Sequence, residues 1–218
     1  MKYYFLEEAI RTSDTGTQHP QILQMDTLHD YDDDNGVYAF ARISLPQNNP
    51  SLKYLLLDKD AKLTDLLSTA MLRLRGFLIN TKLKHILQSF SLPTHKFYSA
   101  YVKDDAGKVH DYFWLQMLMD YEMACIDFSK SEFVIEGSND IILLNSYQDF
   151  VSQRETLKPR RIKLRNTSFN ETFKSQSLDI FKIPILSMSW IISERLMDEL
   201  IKRKISGIQI LEAEAEIV

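Results

Sequence analysis

Apolar and polar positions alternate along this chain in short runs. The runs outline strands joined by loops and a few short helices. Residues 2–6 predict a first strand rich in aromatics, and residues 11–36 are polar and irregular. Val37 to Leu45 alternates as a strand that Pro46 stops, and Leu52 to Leu57 is a second apolar run. Thr64-Asp65 is placed to cap a short helix carrying Leu66 and Leu67. Lys96 to Val102 and roughly His110 to Met117 predict a hairpin closed at Asp104-Asp105-Ala106-Gly107. Residues 117–126 fit a strand or a helix. Phe133 and the run Ile141 to Leu144 continue the strand pattern. Ser146 heads a helix over 146–158. Residues 158–178 are polar and basic and predict a mobile loop or an edge strand. Ile180 to Ile185 is a strand interrupted by Pro184, and Ile208, Ile210 and Leu211 make a last one. Glu212, Glu214 and Glu216 predict a solvated acidic tail.

One pattern occurs twice. Phe77-Leu78-Ile79-Asn80-Thr81-Lys82-Leu83 with Ile86-Leu87 is matched by Trp190-Ile191-Ile192-Ser193-Glu194-Arg195-Leu196 with Glu199-Leu200. The copies lie 113 residues apart, Asn80 matching Ser193 and Leu87 matching Leu200. Each is an apolar run, a helix N-cap and two leucines four apart on one helix face. In the second copy Leu196, Met197, Leu200 and Ile201 form the predicted apolar face, and Gly207 stands where a C-cap glycine would. The resulting fold class is α+β: a mixed or antiparallel sheet with a few short helices, arranged as two pseudo-equivalent strand–helix–strand halves. The chain reads as one domain over 1–218, with candidate halves at about 1–105 and 106–218.

Composition narrows this little. At 44% hydrophobic and 26% charged, the 218 residues suit an ordinary folded domain. A net charge of −4 supplies no global basic field, so nucleic acid is disfavoured as a partner. No apolar run approaches membrane-spanning length, and Glu7-Glu8 falls where a signal peptide would stay apolar. The single cysteine, Cys125, excludes an internal disulfide and fits a reducing cytoplasm.

The chemical candidates are weak. Asp14-Thr15-Gly16-Thr17 matches an aspartic-protease loop, but no second copy supplies the partner aspartate. Asp30, Asp32 and Asp34 take positions 1, 3 and 5 of a calcium loop. Asn35 then replaces its glycine and Ala41 its glutamate. The run Asp30, Asp32, Asp33, Asp34 is therefore read as a solvated acidic loop that offers contact to a basic partner. His19, His29, His85, His95 and His110 show no metal-ligand spacing, and no metal or cofactor is expected. His95 and His110 flank the hairpin as candidate neighbours and, with Asp111, are the one cluster an enzyme could use. Ser146 and Ser193 are better placed as caps than as nucleophiles. With 6 glycines there is no phosphate-binding loop. Lys158, Arg160, Arg161, Lys163 and Arg165 form a basic patch without interleaved aromatics.

Four segments carry a family resemblance. They are Lys62-Leu63-Thr64-Asp65-Leu66-Leu67; the first repeat copy running into Pro93-Thr94-His95-Lys96-Phe97-Tyr98; Ile126-Asp127-Phe128-Ser129-Lys130-Ser131-Glu132-Phe133; and Asp179-Ile180-Phe181-Lys182 leading to Ser193-Glu194-Arg195-Leu196 and Ile205-Ser206-Gly207-Ile208. In order and spacing, over roughly residues 50–212, they resemble the bacterial polymorphic-toxin immunity proteins of the type numbered 11 and 43, formerly a domain of unknown function. The resemblance implies a cytoplasmic α+β protein encoded beside a toxin, whose catalytic domain it binds and blocks. It implies no catalytic residues, so the chain is expected not to be an enzyme. The rival reading is a small-ligand-binding or regulatory module.

Overall fold

A computed structural model describes residues 2–26, 45–47, 49–50, 52–72, 76–118, 125–138, 140–183, 189–212 and 216–217. In chain order the first half carries β1 (Tyr3–Glu8), β2 (Ile22–Met25), β3 (Leu52–Leu57), β4 (Leu66–Leu67), β5 (Gly76–Asn80), α1 (Thr81–Leu87), β6 (His95–Lys103) and β7 (Val109–Met117). The second carries β8 (Glu132–Ile135), β9 (Ile141–Ile142), α2 (Tyr147–Thr156), β10 (Ile162–Thr167), α3 (Glu171–Lys174), β11 (Ile180–Phe181), β12 (Trp190–Ser193), α4 (Glu194–Lys202), β13 (Ile208–Glu212) and β14 (Glu216–Ile217). The class is α+β with mixed and antiparallel sheets, as the alternating runs imply.

The chain divides into two compact units. One comprises Glu7–Leu118 and Asp198–Gln209; the other comprises Met1–Leu6, Met119–Met197 and Ile210–Val218. The first unit holds a six-stranded sheet in the order β2-β3-β6-β7-β5-β4. Only the β3–β6 pair is parallel among its strand pairs. Alternate residues of β6 and β7 bury Tyr98, Ala100, Val102, Tyr112 and Trp114 against Ile22, Leu52, Leu55 and Leu78. The second unit holds the sheets β11-β12-β1-β13 and β14-β10-β8-β9. Its core is aromatic. Phe169, Phe173 and Phe181 meet with centroids 4.7–5.6 Å apart, and Tyr3 packs edge-on to Phe181 at 5.5 Å.

The two repeat copies fold alike, and the likeness extends beyond them. In sheet order, β4-β5-β7-β6 corresponds to β11-β12-β1-β13. Leu66 and Leu67 pair with Ile79 and Leu78, and Ile180 and Phe181 pair with Ile192 and Ile191, in the same register. The next strand over also corresponds. Tyr112, Phe113, Trp114 and Leu115 lie opposite Asn80, Ile79, Leu78 and Phe77. Tyr3, Tyr4, Phe5 and Leu6 lie opposite Ser193, Ile192, Ile191 and Trp190. The central strand of the second motif thus comes from the other end of the chain, whereas in the first β7 follows after α1 and β6.

Several expectations change. Leu66 and Leu67 form a strand and not a helix: both are buried, and the Leu66 N–H is donated to the Ser206 carbonyl. The basic stretch divides: Lys158, Arg160 and Arg161 lie in the turn before β10, whereas Lys163 and Arg165 lie on β10, which pairs with β8 and, at Asn166 and Thr167, with β14. Glu216 does not trail free, since it pairs with Asn166. The cap of α4 is Lys204 rather than Gly207. Lys204 has φ +51°, and the Lys204 and Ile205 N–H groups close back on Ile201 and Leu200. Gly207 serves a close approach: a Cβ there would stand 2.0 Å from the Leu66 carbonyl oxygen. Ile201 is exposed, because the buried line of α4 runs through Leu196 and Leu200 only. The predicted strand from Val37 lies almost wholly outside the described residues.

Candidate functional site

Buried aspartates sit at the start of the two repeated helices. In the first unit, Asp65 immediately precedes β4, and β4 pairs with β5, which ends at Asn80. The Asp65 carboxylate accepts from Asn80 Nδ2 (2.8 Å), Lys82 Nζ (3.1 Å), the Ser206 N–H (2.8 Å) and Ser206 Oγ (3.0 Å). The Asn80 side chain turns its oxygen to the Leu83 N–H at 3.0 Å and so caps α1. Burial alone would raise the Asp65 carboxyl. The Ser206 N–H, the Asn80 amide, the Lys82 ammonium and the Ser206 hydroxyl outweigh it and hold the group below its usual range.

The second unit repeats the device with different residues. Asp179 precedes β11 and is fully buried. It accepts from Ser193 Oγ (2.6 Å) and from Arg195, whose Nε lies 2.5 Å from Oδ1 and whose Nη2 donates to Oδ2. Ser193 Oγ accepts in turn from the Leu196 N–H at 3.3 Å, which caps α4. In both copies the N–H of the cap residue is donated to the aspartate carbonyl at 2.9 Å. The Ser193 hydroxyl is buried, and it donates to a carboxylate and accepts from a helix N–H. It is positioned to fix a helix start, not to attack a substrate.

The structure separates the other sequence candidates. His95 pairs with Met117 and His110 with Val102, at opposite ends of the β6–β7 hairpin, about 20 Å apart along the strands. They are not neighbours. His95 Nδ1 lies 2.8 Å from the Pro93 carbonyl, and His110 Nε2 lies 2.8 Å from Asp104 Oδ2 at the turn. Asp111 is exposed beside Tyr101. Asp14 is exposed in a turn fastened by Thr12 and Thr15. Cys125 is buried, and that burial pushes its thiol up to about 12. Asp30, Asp32, Asp33 and Asp34 lie outside the described residues. Among the described residues, no three His, Cys, Asp or Glu side chains converge as a metal site would require.

Two shallow cavities of about 330 Å³ open on the first unit. One is lined by Lys53, Tyr101, Lys103 and Val109. The other lies beside α1 and the end of α4, where Lys82 is held by Asp65 and Arg203 by Glu199. Of the residues weighed as chemical candidates from sequence, the second is lined by His85 and the first by none.

The decisive comparison covers nearly the whole chain. Residues 5–215 match the Immunity protein family (Imm11). The chain belongs to that family. No curated protein matches it. No described helix is long and apolar enough to cross a membrane. The segments that carried the resemblance in this immunity-family chain contain its polar anchors: Asp65, Asp179, Ser193, Arg195 and Ser206. The Ile126 to Phe133 segment holds a local surface turn, where Asp127 Oδ1 accepts from the N–H (3.2 Å) and hydroxyl (2.7 Å) of Ser129. These signatures build the scaffold. Sequence reasoning singled out the cap residues and read Asp65 with Thr64 as a cap for Leu66 and Leu67, but it did not pair Asp65 with Asp179; the two stand 114 residues apart and so fall out of step with the 113-residue repeat.

Proposed function

We propose that this chain neutralises a cognate bacterial toxin domain by binding it, in the cytoplasm and without catalysis of its own. The observation that carries the reading is the family match over residues 5–215. The chemistry of the anchors supports it. Their carboxylates and hydroxyls are engaged within the fold, and an inhibitor needs a stable frame and a complementary face but no reactive group. A standard interface buries about 1,600 Å² in total, which a chain of this size can present.

The test is co-expression with the product of the adjacent upstream reading frame. Rescue of growth, together with a one-to-one complex in gel filtration, is the expected result. Growth arrest that this chain does not relieve, with no complex between the purified proteins, would overturn the proposal.

A further inference from the structure

We infer that two copies of this chain pair through β13, edge to edge and antiparallel, about a twofold axis at Ile210. The inference stands apart from the immunity reading, because it concerns how the chain assembles with itself whether or not a toxin binds.

β13 is the outermost strand of the sheet β11-β12-β1-β13. It runs antiparallel to β1. The Ala9 N–H is donated to the Gly207 carbonyl (3.0 Å) at one end, and Lys2 Nζ lies 3.7 Å from Glu212 at the other. The Gly207 carbonyl therefore faces β1. Across the planar trans peptide the Ile208 N–H faces away. Strand alternation turns the N–H and C=O of Ile210 and Glu212 the same way. The hydrogen bonds of β1 agree. The Lys2 carbonyl accepts from the Glu194 N–H, so even-numbered residues of β1 face β12 and Ala9 faces β13. Among the described residues, no backbone group takes up the outward row of Ile208, Ile210 and Glu212.

The other outermost strands are blunted. β4, β9, β11 and β14 are two residues each. β2 has four, and it is bridged at Ile22 to Thr69. β13 has five residues and none of the prolines or lysines that usually protect an edge. Its apolar side chains are only partly covered: Ile208 and Ile210 are half-buried, and Leu211 is 37% exposed.

Such a row of N–H and C=O groups is matched by another extended backbone. A second copy supplies one whose side chains fit. With the axis at Ile210, that residue lies opposite the partner's Ile210, and Ile208 lies opposite the partner's Glu212. These outward pairs exchange about six hydrogen bonds. On the opposite face of the sheet Gln209 meets the partner's Leu211. No like charges oppose one another, and Glu212 keeps Lys2 as its counter-ion. An axis at Glu212 would instead set the two glutamates against each other. Five residues a side fall short of the roughly 20–30 of a standard interface, so the dimer is weak, with a dissociation constant on the order of 10 µM.

Sedimentation equilibrium of the full chain tests this, with wild type compared to Ile210→Pro and Ile210→Lys after both variants are shown to melt as wild type does. The proline withdraws an outward N–H and spares the ladder to β1. The lysine opposes itself across the axis. Wild type is expected to pass from monomer to dimer between about 1 and 200 µM, and both variants to dissociate about tenfold more readily or stay monomeric. Should the variants melt early, hydrogen exchange of wild type decides: the amides of Ile208, Ile210 and Glu212 should exchange about fivefold more slowly at the higher concentration. Wild type that stays monomeric at about 200 µM would overturn the inference, as would a dimer that both folded variants keep. Protection of these amides that appears only on adding the purified product of the upstream reading frame, in a chain otherwise monomeric, would overturn the second copy in favour of a toxin strand.

Discussion

Asp65→Asn tests whether the buried carboxylate, and not merely its shape, ties the first unit together. The replacement is nearly isosteric. One oxygen remains for the Ser206 N–H and hydroxyl, but the other becomes an amide facing Asn80 Nδ2. Asn80 cannot flip to repair this without withdrawing its own oxygen from the Leu83 N–H. Either that bond or the α1 cap is therefore lost, at about 1 kcal/mol. Loss of the charge also weakens the bonds from Ser206, by about 1 kcal/mol in total. The half-exposed Lys82 adds less than about 1 kcal/mol. The sum is about 2–3 kcal/mol, or roughly 4–12 °C in melting temperature for a chain of this length. Urea unfolding followed by fluorescence of Trp114, which is buried in the same unit, measures it once Trp190 is replaced by phenylalanine. The sign with pH is fixed. The folded carboxyl titrates below its unfolded value, so its contribution is full above the unfolded pKa and is lost as pH falls through the folded one. A midpoint within about 0.5 kcal/mol of the parent, with the acid limb of the pH profile unchanged, would refute this role for the carboxylate.

Four further outcomes follow from local geometry. Gly207→Ala is expected to cost about 2 kcal/mol or more in thermal unfolding, because φ is +81° and the added Cβ meets the Leu66 carbonyl. Lys204→Gly is expected to stabilise by about 0.5–1 kcal/mol in the same assay, by relieving a left-handed lysine at the end of α4. Glu8→Gln is expected to flatten a pH dependence. Burial raises the folded carboxyl to about 7, so stability should be highest below the unfolded pKa and fall as pH rises through about 7. The amide should be up to about 3 kcal/mol more stable than wild type at pH 8, measured by urea midpoints. Cys125 should resist a thiol reagent at pH 8 in the folded chain and react only on unfolding, read by absorbance.

The legible parts of the fold were those with a local cause. Asn80, Ser146 and Ser193 announce helix starts through residue chemistry alone, and each side chain does accept a helix N–H. The hairpin at Asp104 to Gly107 is equally local, and the Gly107 N–H closes on the Asp104 carbonyl. The repeat was visible because its helices fall at a constant offset. What escaped depends on long-range pairing. β4 and β11 are two residues each, too short for any periodicity, and their strand character comes from β5 and β12. The likeness of Tyr3-Tyr4-Phe5-Leu6 to Tyr112-Phe113-Trp114-Leu115 is hidden because the two segments take different places in the chain order. Lysine and arginine at alternate positions read as solvated chain, and only the register with β8 shows that β10 is a paired strand.

The position of β1 in the middle of its sheet has a consequence during synthesis. Tyr3 is made 190 residues before its partner Ser193. At about 5–20 residues per second, that strand waits roughly 10–40 s before the chain that covers it exists. During that interval Tyr3, Tyr4, Phe5 and Leu6 form an unpaired aromatic strand with no sheet to join. The nascent chain is thus exposed to proteases and to its own neighbours on the polysome. Protection would begin only when the last repeat emerges.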